Sequence, residues 1–338
     1  MKITKTKFGE LNGEDIYLFS LDNEKGLTCE IINYGARIKS LIYNGTDVVL
    51  GYETWEGYEN DGVFFGALVG RNASRLENAR FCLNGKEYNV SKNNGKHSLH
   101  GGFLGFSKKI WKVEENENAL VLSLKSPDGD EGYPGNLDIS VSYTLTDGNE
   151  LEISYSAKSD MDTVFNVTNH SYFNLNGHGN GTIENHTLKV EADYYTPITE
   201  ELVVTGEIKP LKDTPFDFTK ETVINKKIIE MKEKTGRDRG FDHNFVINGE
   251  GFRKAATVRG DKTNITMEVY TDRPGIQIYT AILSKERPFC KNDAKYLGFA
   301  GVCFETQEFP NSVNVNAFPS PVLKKGDTIE TKTIYKFI

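Results

Sequence analysis

Leu137-Asp138-Ile139-Ser140-Val141-Ser142-Tyr143, then the turn residues Thr146-Asp147-Gly148-Asn149, then Leu151-Glu152-Ile153-Ser154-Tyr155: this stretch decides the fold class. Apolar and polar side chains alternate on both sides of the turn. A period of two places one face of each segment in a core and the other in water, as in an antiparallel hairpin. The pattern spreads outward from there. Residues 29–34 and 38–43 alternate roughly in the same way. Asn84-Gly85 separates Phe81-Cys82-Leu83 from Lys86-Glu87-Tyr88-Asn89-Val90, and an Asn-Gly pair in that setting signals a hairpin because both residues tolerate positive φ. Residues 120–124, 266–270, 276–280 and 328–337 read as further strands, and only residues 222–234, rich in Ile and Lys, read as a helix. Closely spaced strands without intervening amphipathic helices predict an all-β antiparallel architecture rather than a βαβ fold. No composition shift marks a linker, so residues 1–338 read as a single domain. Loops at 176–185 and 285–294 interrupt the strands, and long loops on a rigid sheet often carry function.

The 338 residues include 40 Lys plus Arg against 48 Asp plus Glu, a net charge of −8. That balance opposes a phosphate backbone, so no nucleic-acid partner is expected. No stretch approaches the roughly 18–20 apolar residues of a membrane helix, so no membrane partner is expected either. The polar, lysine-rich first ten residues predict no signal peptide. Cys29, Cys82, Cys290 and Cys303 form no CxxC pair, which points to free thiols in a reducing compartment and a cytoplasmic location.

Four segments carry chemistry. They are Gly70-Arg71-Asn72-Ala73-Ser74-Arg75-Leu76, then His97-Ser98-Leu99-His100-Gly101-Gly102, then Asn166-Val167-Thr168-Asn169-His170-Ser171-Tyr172-Phe173-Asn174-Leu175, and finally Phe241-Asp242-His243-Asn244-Phe245 with the distant Phe304-Glu305-Thr306-Gln307. They supply histidines that exchange protons near neutral pH, carboxylates that act as bases or grip hydroxyls, and aromatic faces suited to the C–H face of a sugar ring. Only a fold can assemble residues so far apart.

In order and spacing, these motifs resemble the galactose mutarotase (aldose 1-epimerase) family over nearly the whole chain. Gly70-Arg71…Arg75-Leu76, Ser98-Leu99-His100-Gly101-Gly102, Thr168-Asn169-His170-Ser171-Tyr172-Phe173-Asn174-Leu175, Gly275-Ile276-Gln277-Ile278-Tyr279-Thr280 and Glu305-Thr306-Gln307 carry the likeness, with Asn33-Tyr34-Gly35-Ala36 ahead of them. The resemblance implies a large antiparallel β-sandwich, the supersandwich, with an open cleft. It implies a cofactor-free, metal-free isomerase that interconverts the anomers of a free sugar such as galactose or glucose, as a monomer or homodimer. Glu305 resembles the general base, His170 the general acid, and His100 a group that assists at the ring oxygen or holds the substrate. Arg75, Asp242 and Gln277 resemble hydroxyl-binding residues. Ser74 is placed with them as a substrate-binding residue where the family often has asparagine; its shorter side chain implies a water-bridged contact, with Asn72 as a partial substitute. A nearby carboxylate is expected to raise the pKa of the acid histidine and keep it charged.

Plainer readings stand beside these. His97 with His100 forms an HxxH, but no third ligand stands near it in sequence, and His97 is expected at the surface. His178 and His186 read as solvated-loop residues, His243 as a structural residue or an orienter of Asp242, Arg71 as a salt-bridge former, and Trp55 and Trp111 as packing. A hexose-6-phosphate epimerase would need a basic pocket, for which Arg237 and Arg239 are the candidates. A non-catalytic sugar-binding sandwich need not keep both Glu305 and His170, and a lyase or hydrolase would show a long cleft with paired carboxylates.

Overall fold

The alternating stretch folds as the expected hairpin: Leu137–Leu145 pairs antiparallel with Glu150–Ser159, and Leu145 lies opposite Leu151. Every second residue of the first strand, beginning at Leu137, is buried. The structure, a computed structural model, describes residues 1–116, 118–236 and 240–338. Arg237 and Arg239 therefore lie outside the described residues.

The hairpin sits in a nine-stranded antiparallel sheet. Its order is Lys112–Asn116, Ala119–Ser126, Leu137–Leu145, Glu150–Ser159, Thr328–Phe337, Thr266–Thr271, Arg253–Arg259, Thr187–Val190 and Thr222–Val223. A six-stranded sheet runs Tyr172–Phe173, Val302–Gln307, Gly275–Thr280, Asp242–Ile247, Ala192–Thr196, Lys209–Pro210. Leu151, Ile153 and Tyr335 of the larger sheet share one buried core with Phe245, Ile278 and Phe304 of the smaller. The Tyr335 hydroxyl donates to the Phe304 carbonyl at 3.0 Å, and the hydroxyls of Thr306 and Thr333 bond to each other across the same interface. Phe304 and Thr306 thus face the core. Successive side chains point to opposite faces of a strand, so Cys303, Glu305 and Gln307 face the other way. A five-stranded sheet from Lys2–Leu11 to Thr46–Asp47 adds Phe19, Ile31 and Leu41 to the same core.

Asn84 and Gly85 make the expected tight turn, with φ of 53° and 75°, between Arg80–Leu83 and Lys86–Asn89. The helix spans Ile224–Thr235; the β-branched Thr222 and Val223 join the sheet edge instead. Ile224, Ile228 and Met231, spaced at four and three residues, form its buried stripe, and Gly236 caps it in the left-handed region at φ 69°. Trp111 and Trp55 are packing residues, the latter edge-on to Tyr34 with centroids 4.9 Å apart.

Among the described residues one ion pair is fully buried: Arg37 Nη1 lies 2.6 Å from Asp61 Oδ2, with both side chains 0% exposed. Arg37 also donates to the carbonyls of Phe65 and Ser107, while Asp61 accepts from the Val63 N–H and the Tyr52 hydroxyl. The pair ties the strand Arg37–Tyr43 to the segment bearing Phe64. Asp61→Ala leaves the guanidinium buried without its counter-charge and is expected to cost about 3–5 kcal/mol. Tyr335→Phe, which removes a single neutral hydrogen bond, is expected to cost about 1 kcal/mol. Urea unfolding of both variants checks the ranking.

Candidate active site

Register in the six-stranded sheet lines up its polar side chains. Asn244 lies opposite Gln277, which lies opposite Glu305; Asp242 lies opposite Tyr279, which lies opposite Cys303. His170 ends the short strand Thr168–His170, which pairs with Ala67–Val69. It brings Nε2 to 3.6 Å from Oε1 of Glu305, with side chains 5% and 3% exposed. Ser98–Leu99 pairs with Arg75–Leu76, Leu99 opposite Arg75, so Arg75 and His100 arrive together.

The turn after His100 requires glycine. Gly101 has φ 89°, and a methyl in place of its hydrogen would lie 1.8 Å from the Gly70 carbonyl oxygen. His100 itself is held at φ 51°. Its Nδ1 accepts the Ser74 N–H at 3.2 Å, and the Ser74 hydroxyl accepts from Gln307 Nε2 at 3.1 Å. The two imidazoles stand edge to face with centroids 5.0 Å apart, and Phe64 packs at 4.8 Å on His100. Gln277 Nε2 donates to Asp242 Oδ1 at 2.6 Å; Arg75 Nη1 reaches Asp242 Oδ2 at 3.5 Å and its Nε donates to Asn94.

Ser74, Arg75, His100, His170, Asp242, Gln277 and Glu305, the seven residues singled out from the sequence, all line one cleft of about 310 Å³. Its upper walls include Phe64, Tyr172, Phe216 and Tyr279. Among the described residues, Glu305 Oε2 and Gln277 Oε1 are buried without a hydrogen-bond partner in the protein. Buried acceptors of this kind call for donors, and the hydroxyls of a ligand supply them.

The electrostatics differ from the expectation that a carboxylate keeps the acid histidine charged. Burial lowers His170 to about 4. Burial, reinforced by Asp242 and opposed by Arg75, raises the Glu305 carboxyl well above its usual range. His100 is lowered by burial first, then by His170 and Arg75. Each group loses hydration in the same dry place, so each favours its neutral form. The neutral pair and the ion pair hold the same number of protons. One proton moving between Glu305 and His170 converts one into the other.

His100, His170 and Glu305 also bring one donor atom each within 4.8 Å of one another, a spacing that suits a metal ion. The hydrogen bonding disfavours that use. With Nδ1 of His100 accepting the Ser74 N–H, the neutral ring carries its proton on Nε2, which then donates and does not ligate.

Several side chains differ from their sequence reading. His97 is buried, not at the surface: the turn through Asn94 folds it inward, and its Nδ1 accepts the Asn78 N–H. His186 is fully buried, accepting the Leu175 N–H and facing Asp261, because loop 176–185 packs back on the body. His178 is half-buried and held by Tyr296 and Asn292. Arg71 makes no direct ion pair among the described residues; it donates to Ser126, Pro127, Pro134 and Thr163 and so fixes the loop beyond Ser126. Asn72 does not line the cleft and bonds the Ala73 carbonyl. His243 packs on Phe216 with centroids 4.2 Å apart, accepts the Asp242 N–H and itself lines the cleft. Phe64 and Asn94 went unnoticed in the sequence, and Cys303 was read only as a free thiol. No motif marks the first two, and Cys303 is legible only as the residue two before Glu305, on the same strand face.

A family model described as aldose 1-epimerase matches residues 17–336. The chain is 40% identical over 345 residues to the galactose mutarotase of Mus musculus, covering 100% of this chain and 99% of that protein. It is 36% identical to the aldose 1-epimerase of Haemophilus influenzae, covering 92% of each. Its fold superposes on the crystal structure of a galactose 1-epimerase from Lactobacillus acidophilus with a TM-score of 0.87 at 26% identity, covering 100% of this chain and 98% of that one.

The raised carboxyl has a consequence for stability. Folding favours the neutral form of Glu305, so its charge costs stability once pH exceeds the unfolded value of 4.5, and the cost grows until the raised folded value is passed. Glu305→Gln removes that cost. The variant is expected to gain stability over the parent increasingly as pH rises above 4.5, with little difference below it. Urea unfolding across that range tests it, and a gain that shrinks as pH rises would contradict it.

Proposed function

Since the chain belongs to the aldose 1-epimerase family, we propose that this cleft opens and recloses the ring of a free hexose, galactose or glucose, with Glu305 as base and His170 as acid. The protein is an isomerase that interconverts the α and β anomers of an aldose. The observation that carries the residue assignment is the 3.6 Å approach of His170 to Glu305 on the cleft floor, beside an unpartnered carboxyl oxygen.

In the working form, Glu305 is a carboxylate and His170 an imidazolium. The sugar's hydroxyls hydrogen-bond the carboxylate, which favours this ionic distribution over the neutral one. Glu305 removes the C1 hydroxyl proton, the C1–O5 bond breaks, and His170 protonates O5. The open aldehyde turns about C1–C2 and O5 attacks the other face of C1. Glu305 returns its proton to the C1 oxygen and His170 recovers the proton from O5, so the enzyme ends as it began. Arg75, Asp242 and Gln277 grip the remaining hydroxyls, and His100 donates to the ring oxygen. Ser74 supports His100 through its backbone and contacts the sugar only secondarily. No electron changes hands, so the chemistry requires neither a redox cofactor nor a metal.

A neutral sugar is favoured over a sugar phosphate. Among the described lining residues Arg75 is the only lysine or arginine, and Asp242 already pairs with it. A phosphate would need a free cation. The site draws on residues from Phe64 to Glu305, so we read residues 1–338 as working in one unit. Four free cysteines, three of them buried, support a reducing, cytoplasmic setting. Among the described residues, no helix is long and apolar enough to cross a membrane.

Polarimetry of freshly dissolved α-galactose tests the reading. Glu305→Gln and His170→Asn are each expected to lower kcat by about 10²–10⁴-fold. Full activity in either variant would contradict the assignment, and loss of activity in EDTA would contradict the metal-free mechanism. Because the base must be ionised and its pKa is raised, kcat/KM is expected to fall with decreasing pH at values above those of an ordinary carboxylate. An acid limb at or below about pH 4.5 would contradict that sign.

A further inference from the structure

Two imidazoles 5.0 Å apart in one cleft raise the question of which one moves protons. Their outer nitrogens have different neighbours. Nδ1 of His100 faces the Ser74 N–H, which can only donate. Nδ1 of His170 lies 3.7 Å from Cys303 Sγ, a buried thiol whose sulfur accepts when the ring carries its proton on that side. Nε2 of His170 faces Oε1 of Glu305 at 3.6 Å, and a carboxyl held in its protonated form donates there, which leaves the ring proton on Nδ1.

We propose that the two histidines are held in opposite tautomers, His100 with its proton on Nε2 by the Ser74 backbone N–H and His170 with its proton on Nδ1 by Cys303, so that His170 alone exchanges protons with the sugar and His100 is a fixed neutral donor. The division follows from the chemistry of each partner. His100 cannot accept a proton at Nε2, because that nitrogen already carries one, and cannot accept at Nδ1 without losing the Ser74 bond. His170 has a free lone pair at Nε2, facing Glu305, and keeps Nδ1–H through the whole cycle. Cys303 is thereby a positioning residue. Its own thiol is held protonated, because burial raises it well above the usual value, with Glu305 and Asp242 adding to the shift. Register places it there: it lies opposite Tyr279 on one side and Tyr172 on the other, two residues from Glu305 on the same strand face.

This assignment rests on the cleft being the site of ring opening, but its first test does not. Two-bond ¹H–¹⁵N spectra of the ¹⁵N-labelled protein without sugar report the tautomer of each ring directly, with His100→Gln and His170→Gln supplying the assignments. The expected result is Nε2–H for His100 and Nδ1–H for His170 near neutral pH. The same tautomer in both rings, or the reverse pair, would overturn the proposal whatever the protein's activity. The second test is kinetic. Glutamine keeps a neutral N–H donor but cannot carry a proton, so His100→Gln is expected to stay within about tenfold of the parent kcat while His170→Gln falls by about 10²–10⁴-fold. Equal losses would overturn it. Cys303→Ala is expected to lower kcat by about 3- to 30-fold with KM within about twofold, and Cys303→Ser, which restores an acceptor, to recover most of the loss. Packing alone would make Ser no better than Ala, and that result would overturn the role of Cys303.

Discussion

The structure depends on one constraint: a carboxyl group and an imidazole are buried together, 3.6 Å apart, with side chains 3% and 5% exposed. Water would keep Glu305 charged and give it no reason to react. Its absence raises the carboxyl and lowers the histidine until the two compete for the same protons. Such a pair is unfavourable for folding and useful for chemistry, because a small change in surroundings redistributes a proton. A polyhydroxy ligand is a change of that kind, since it offers hydrogen bonds to a carboxylate without the full dielectric response of water.

The fold makes the constraint possible by separating two duties between the faces of one sheet. Phe304 and Thr306 point into the core and lock the strand to its partner sheet; Cys303, Glu305 and Gln307 lie on the opposite face, where Glu305 lines the cleft. The strand is anchored on one side and chemically active on the other. The remaining groups arrive on short, bent segments held by backbone contacts. His100 sits on a turn that only glycine can follow, and Phe64, at φ 62°, closes the cleft beside it from a loop fixed by the buried Arg37–Asp61 pair. Rigidity there matters because acid–base transfer tolerates little misplacement of donor and acceptor.

Much of this was legible in the sequence, and the reasons differ by residue. Strands such as Leu137–Leu145 announce themselves because one face is wet and the other dry. The Asn84-Gly85 turn announces itself because few residue pairs tolerate its backbone. The seven cleft residues were reached through motifs rather than periodicity, since no local pattern tells that Arg75 and Asp242 will meet. Burial was the quantity the sequence hid. His97 and His186 lie in polar, loop-like stretches and yet end inside the protein, because the loops fold back and offer backbone N–H groups to the rings. The same blind spot hid the shift at His170: a neighbouring carboxylate was expected to raise its pKa, while burial lowers it. Arg71 went astray in a related way, finding carbonyls where a carboxylate was expected.

The central claim is that Glu305 titrates as a buried acid. Infrared titration of the carboxylic acid C=O band that is present in the parent and missing from Glu305→Gln measures this directly. A midpoint well above 4.5 without sugar, moving down when galactose fills the cleft, is the result expected from the shared burial of Glu305 and His170. A midpoint at or below 4.5, unmoved by sugar, would contradict it.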